Sequence, residues 1–211
     1  PRWSGLAGDT VHAVLVRGDQ VWAGSVETAW SATDQHYTDG GVSVFDGTRW
    51  TARRTDNTGG AATGLGAGGV STLADGCAGE VWVGTGNVWD RVGSGVFVLT
   101  PGADVHSLSG DRWVRHRYPQ LASANTTAID ADCAGRRVWV AATHHVNTTD
   151  TGGSLGVWSG GGLAGFNLDA STWTRHGGRD GLETYAQGEI TGEAVSVRAR
   201  AGGGALVGTY G

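Results

Sequence analysis

One apolar tetrapeptide recurs through the chain: Val21-Trp22-Ala23-Gly24, Val81-Trp82-Val83-Gly84 and Val138-Trp139-Val140-Ala141, with a weaker copy at Ala205-Leu206-Val207-Gly208. The central residues Trp22, Trp82, Trp139 and Leu206 stand 60, 57 and 67 residues apart. A second marker alternates with the first without a miss: Arg2-Trp3-Ser4, Arg49-Trp50-Thr51, Arg112-Trp113-Val114 and Thr172-Trp173-Thr174. Two interleaved markers at a steady interval mean one supersecondary unit repeated along the chain. Such a unit cannot bury its apolar faces alone and must stack on its neighbours.

Each unit reads as four strands. Residues 11–16, 70–73, 127–129 and 195–198 are apolar or β-branched runs that lead into turns holding glycine: Arg17-Gly18-Asp19-Gln20, Asp75-Gly76-Cys77-Ala78-Gly79, Asp132-Cys133-Ala134-Gly135 and Ala201-Gly202-Gly203-Gly204. The Trp-bearing tetrapeptide, or its Leu206 copy, follows each turn, so each pair is a hairpin. Third strands over 41–45, 95–99 and 163–168 then turn at Asp46-Gly47, Gly110-Asp111 and Asp169-Ala170 into the strand that carries the second marker. Many of the 39 glycines fall at these turns and strand entries. Four short antiparallel strands per unit is the form of a β-propeller blade. The expected fold is all-β, with about three and a half blades over 11–54, 70–117, 127–176 and a partial 195–211. These form a single propeller domain over 1–211 or part of a larger propeller.

The run Gly5-Leu6-Ala7-Gly8-Asp9-Thr10-Val11, then Val21-Trp22-Ala23-Gly24, then Gly40-Gly41-Val42-Ser43-Val44-Phe45-Asp46-Gly47-Thr48-Arg49-Trp50-Thr51 resembles one repeat of the two-component-regulator-type propeller family. Gly181-Leu182 and Val81-Trp82-Val83-Gly84-Thr85-Gly86 are similar to the same pattern. The resemblance implies a bacterial extracellular or periplasmic propeller with a sensing role. An open stack would leave two blade faces in water. With no methionine in the sequence, the expectation is that further blades complete it. The alternatives are a four-bladed ring closed by the Trp3 strand and pairing with a second copy.

Composition narrows the partners. A net charge of −5 without a basic stripe argues against nucleic acid, and no apolar run is long enough for a membrane span. Ten tryptophans fit a packed core.

Function is expected on the loops, because spacing shows where the repeat has grown. The connections between second and third strands are long and polar, and they emerge on the same face as the links between blades. The first carries Glu27, Trp30, Asp34, His36, Tyr37 and Asp39; the second, Trp89, Asp90 and Arg91; the third, His144, His145, Asp150 and Trp158. Trp30, His36, Tyr37, Trp89, Asp90, Arg91, His144 and His145 are the candidate ligand-binding residues. Aromatic rings beside carboxylates and amides suit stacking on a sugar or a peptide side chain. The leading reading is an extracellular binding or sensing module for a glycan, peptide or protein ligand. A secreted carbohydrate-active enzyme, of glycoside hydrolase or lyase type, would need paired carboxylates from Glu27, Asp90, Glu183 and Glu189, none of which sits in a catalytic motif. A structural subunit that docks through its open blade edges is the third reading.

No cofactor and no metal site is expected. Calcium at the acidic turn Asp34 to Asp39 is the alternative, although the turn lacks EF-hand spacing, and adjacent His144 and His145 point apart on an extended chain. Cys77 and Cys133 hold the same turn in successive blades, opposite the long loops. They form either a blade-to-blade disulfide or two free thiols.

Overall fold

A computed structural model describes residues 5–26, 30–31, 36–37, 40–60, 64–66, 69–86, 93–143, 145–146, 158–159, 161–177, 182, 184–186, 189–191 and 193–209. The chain is all-β. The first sheet holds β1 (Thr10–Arg17) and β2 (Gln20–Val26), then β5 (Gly40–Phe45) and β6 (Trp50–Arg53); a small ladder of β3 (Trp30–Ser31) with β4 (His36–Tyr37) lies between β2 and β5 in the chain. The second sheet is β7 (Val70–Asp75), β8 (Val81–Thr85), β9 (Val96–Thr100) and β10 (Arg112–His116). The third is β11 (Asn125–Asp132), β12 (Arg137–Thr143), β15 (Gly162–Asn167) and β16 (Thr172–His176), with the ladder of β13 (His145–Val146) and β14 (Trp158–Ser159) between β12 and β15. A further ladder, β17 (Thr184–Ala186) with β18 (Glu189–Thr191), precedes the two-stranded last sheet of β19 (Ala194–Arg200) and β20 (Gly204–Thr209). In every sheet neighbouring strands are antiparallel and successive in the meander, and no sheet closes on itself. The Trp3 strand of the sequence reading lies outside the described residues.

The alternating markers are the two halves of one inter-sheet contact. Side chains alternate across a strand, so Trp82 and its β9 partner Val98 face one way, while Val81, Val83, Phe97 and Leu99 face the other. The latter four share a buried core with Trp22, Val42 and Val44 of the first sheet. Trp82 joins Ile129, Val138 and Val140 of the third sheet in a second core. Each second-strand Trp thus faces forward to the next sheet. The fourth-strand Trp faces backward: Trp113 packs in the first core, and Trp173 lies 6.2 Å from Trp82 in the second. Leu65 and Leu121, each six residues before a first-strand bulge, are buried in these same two cores.

A third repeated feature stands three residues beyond each fourth-strand Trp. Arg53 lies over Trp22 at 5.4 Å, His116 stacks on Trp82 at 6.0 Å, and His176 sits 6.0 Å from Trp139. His116 is also 5.1 Å from Trp173, and burial lowers the pKa of its imidazole below the ordinary 6.5. The fold therefore holds the neutral ring, and a proton favours the unfolded chain. That stability is complete above about pH 6.5 and is lost as pH falls toward the lowered folded value. We expect the thermal midpoint to drop with acid below that point, and the drop to be smaller in His116→Phe, which keeps the aromatic contact. Equal slopes for the two proteins would show that His116 does not carry the effect.

At the end of the stack that bears the first hairpin turns, each pair of neighbouring sheets is clasped by different chemistry. Arg17 bridges to Asp75 at 2.8 Å and donates to Gly79 O at 2.8 Å, tying the first sheet to the second. Cys77 and Cys133 form a disulfide with Cα atoms 5.1 Å apart, tying the second to the third. Asp132 accepts from Gly135 N at 2.8 Å and Gly203 N at 2.9 Å, which ties the third to the last and holds its carboxyl below the usual range.

Candidate functional site

The opposite end of the sheets carries a repeated irregularity. Pairing skips one residue near the start of every first strand: His12 in β1, Ser71 in β7, Thr127 in β11 and Val195 in β19. A bulge of this kind leaves one residue unpaired and re-aims its side chain. All four bulge residues line one cavity of about 350 Å³, completed by Gly86, Asn125 and Thr126. Four sheets therefore contribute the same position to one hollow. Its volume falls in the range of small-molecule sites.

The bulges also lock the sheets in order. Ser71 Oγ donates to Thr126 O at 2.6 Å, and Thr127 Oγ1 donates to Ala194 O at 2.7 Å; in both cases the acceptor precedes the next sheet's bulge residue. Asn125 Nδ2 donates to Thr143 Oγ1 at 2.8 Å. Gly86 is needed here: its φ is +151°, and a Cβ would lie 2.1 Å from Asn125 Oδ1. Thr126 stands apart, because the residue is 1% exposed and its Oγ1 has no hydrogen-bond partner among the described residues. A buried hydroxyl without a partner is costly. Here it belongs to a residue that lines the cavity.

The four bulges lie at the end from which the long connections depart. Thr10 pairs with Val26, Val70 with Thr85 and Asn125 with Thr143, so each second strand ends beside the start of its first strand. In the first connection Trp30 pairs with Tyr37 and Ser31 with His36, which places three of the candidate residues on one hairpin. In the third, His145 pairs with Ser159 and Val146 with Trp158. Trp89, Asp90, Arg91 and His144 lie outside the described residues, as do Asp34, Asp39, Glu27 and Glu183, while Glu189 pairs with Ala186 in the β17–β18 ladder. Sequence reasoning missed His12, Asn125 and Thr126. For His12 the signal was a polar residue inside the apolar run of β1; Asn125 and Thr126 sit in the polar start of β11 and carried none.

The described lining is uncharged apart from the titratable His12. Such a set of hydroxyls, amide and imidazole can donate to and accept from a neutral polar molecule. A larger hollow, about 520 Å³, lies between Pro119–Gln120 and the β16 region of Thr172, Trp173 and Arg175, so one sheet and the connection that precedes it form it. Among the described residues no three His, Cys, Asp or Glu side chains are grouped to hold a metal ion, and no helix is long and apolar enough to cross a membrane.

No protein-family model matches this chain, and no curated protein matches it.

Proposed function

We propose that the chain is a binding or sensing module of β-propeller type, which takes a small uncharged, hydroxyl-rich ligand, a saccharide, at the bulge ring beneath the long connections. One observation carries the reading: four sheets deliver their bulge residues to a single cavity, and Thr126 in its lining has a buried hydroxyl without a partner among the described residues. A ligand hydroxyl that displaces the cover over Thr126 Oγ1, which is sealed from solvent, would satisfy it, and the exposed His12 supplies a polar contact at the rim. The Trp30–Tyr37 pair supports the reading, since both aromatic residues sit at facing positions of a hairpin at the same end of the first sheet. The disulfide fits an extracellular or periplasmic location. The stacking order of the sheets, with neighbouring first strands in contact, fits a propeller arrangement around an axis through the bulges.

Isothermal titration with a panel of mono- and disaccharides tests this. At least one sugar should bind saturably, and Thr126→Val should weaken it by about tenfold, the effect of one lost hydrogen bond at a buried group. His12→Ala should weaken the same sugar. A panel without a binder, or a binder indifferent to both changes, would refute the reading.

A further inference from the structure

The four bulge residues hold one position in successive sheets, yet they offer a ligand unequal chemistry. Ser71 Oγ lies 2.6 Å from Thr126 O and 3.1 Å from Gly84 O, so its proton goes to a backbone carbonyl. Thr127 Oγ1 donates to Ala194 O at 2.7 Å. A hydroxyl has one proton and two lone pairs. With both protons held by the carbonyls that lock the sheets in order, each of these oxygens can only accept from a ligand. The exposed His12 ring can donate at one nitrogen and accept at the other.

The fourth bulge breaks the series. Val195 falls between the pairs Ala194–Thr209 and Ser196–Gly208, as Ser71 falls between Val70–Thr85 and Thr72–Gly84 and Thr127 between Thr126–Ala142 and Ala128–Ala141. Valine has nearly the volume of threonine, so the third and fourth bulges differ by a methyl in place of a hydroxyl rather than by size. Among the residues that line the cavity, Val195 is the one with an apolar side chain; the others are His12, Ser71, Gly86, Asn125, Thr126 and Thr127. The hollow therefore accepts hydrogen bonds on the side of the second and third sheets and makes none through the side chain of the fourth bulge.

We propose that Val195 sets the specificity of the cavity, which takes a deoxyhexose whose hydroxymethyl group is replaced by methyl. The methyl lies on Val195, and ring hydroxyls donate to Ser71 Oγ and Thr127 Oγ1. This inference rests on the saccharide reading above and narrows it. A methyl at Val195 asks for no hydrogen bond. The hydroxymethyl group of the parent hexose would bring a hydroxyl there that loses water and finds no partner on the side chain. An N-acetyl sugar also presents a methyl, but its carbonyl oxygen needs a donor, and the protons of Ser71 and Thr127 are already engaged. The ring hydroxyls of a deoxyhexose can donate, which is what these two oxygens require.

Titration calorimetry on matched sugars that differ by this one oxygen reads the result: D-galactose against D-fucose, L-galactose against L-fucose, and L-mannose against L-rhamnose. In a pair that binds, the deoxy sugar should bind about tenfold more tightly, the effect of one hydroxyl left without a partner. Val195→Thr restores to the fourth bulge the hydroxyl of the third, and it should erase or reverse that preference. Val195 is 37% exposed and belongs to neither buried core, so the variant should fold, as circular dichroism will verify. A protein that binds a saccharide but prefers no deoxy partner, or whose preference survives Val195→Thr, overturns this inference and leaves the saccharide reading standing. Binding of no sugar in any pair or in the wider panel overturns both.

Discussion

Asp111→Ala is expected to destabilise the fold by about 3–5 kcal/mol, the usual effect of leaving a buried charge without its partner. Arg53 is the partner, with side-chain exposures of 0% for the arginine and 2% for Asp111. Its Nε donates to Asp111 Oδ2 at 2.6 Å, and its Nη2 donates to Asp111 Oδ1 at 3.2 Å and Val105 O at 2.9 Å. Nη1 has no hydrogen-bond partner among the described residues, and the guanidinium plane is 5.4 Å from the Trp22 ring centre. The carboxylate is therefore the main compensation for a desolvated cation at the joint between the first and second sheets. Without it the guanidinium keeps only one carbonyl and the face of Trp22. For a chain of this length the loss corresponds to a fall in thermal midpoint of roughly 6–20 °C. The control is the double change Arg53→Met/Asp111→Leu, which removes both charges and should recover most of the loss. Salt should have little influence, because a pair buried this deeply is poorly screened. A wild-type midpoint in Asp111→Ala would mean that the pair contributes no net stability.

This ion pair also marks where sequence reasoning stops. The strands were legible because each apolar run is short, bounded by glycine turns, and tied to a marker that repeats. Trp82 and Trp173 could be assigned to second and fourth strands from order alone, yet their meeting across two sheets needed the side-chain alternation of real pairing. Arg53 in Trp50-Thr51-Ala52-Arg53 reads as a surface charge at the end of a strand. Its equivalents His116 and His176 reveal a position packed against the second-strand Trp, and this is visible only once the registers are aligned. The bulges are equally silent. His12, Ser71, Thr127 and Val195 share no residue type, because a bulge is a property of pairing rather than of any one side chain. The long connections singled out by spacing depart from the end of the sheets that holds the cavity, yet apart from Gly86 the cavity is built from first-strand residues that those connections do not contain. Trp30, His36 and Tyr37 fall on one hairpin of the first connection, which apolar patterning could not show in so short a ladder.

Removal of the disulfide is expected to have an effect of similar size, by a different physical route. Cys77 and Cys133 are 56 residues apart in the chain, and a cross-link of that span removes loop-closure entropy from the unfolded state. The chain-entropy relation gives about 4 kcal/mol for such a loop. Locally, the bond stands where the first-to-second and third-to-last joints use an Arg17 clasp and an Asp132 clasp. Both of those can re-form at each folding event and contribute nothing to the unfolded ensemble. The disulfide persists through unfolding, so its loss acts on both states. Cys77→Ser/Cys133→Ser, or dithiothreitol added to the wild-type protein, should lower the denaturant midpoint and the thermal midpoint, the latter by roughly 8–16 °C. Because the bond lies at the turn end, far along the strands from the bulges, the proposed sugar binding at the cavity should persist in the reduced protein at temperatures below its lowered midpoint. The two readouts separate cleanly. An unchanged midpoint on reduction would mean that Cys77 and Cys133 do not staple the second and third sheets in solution, while loss of binding with the midpoint preserved would mean that the staple sets the geometry of the bulge ring.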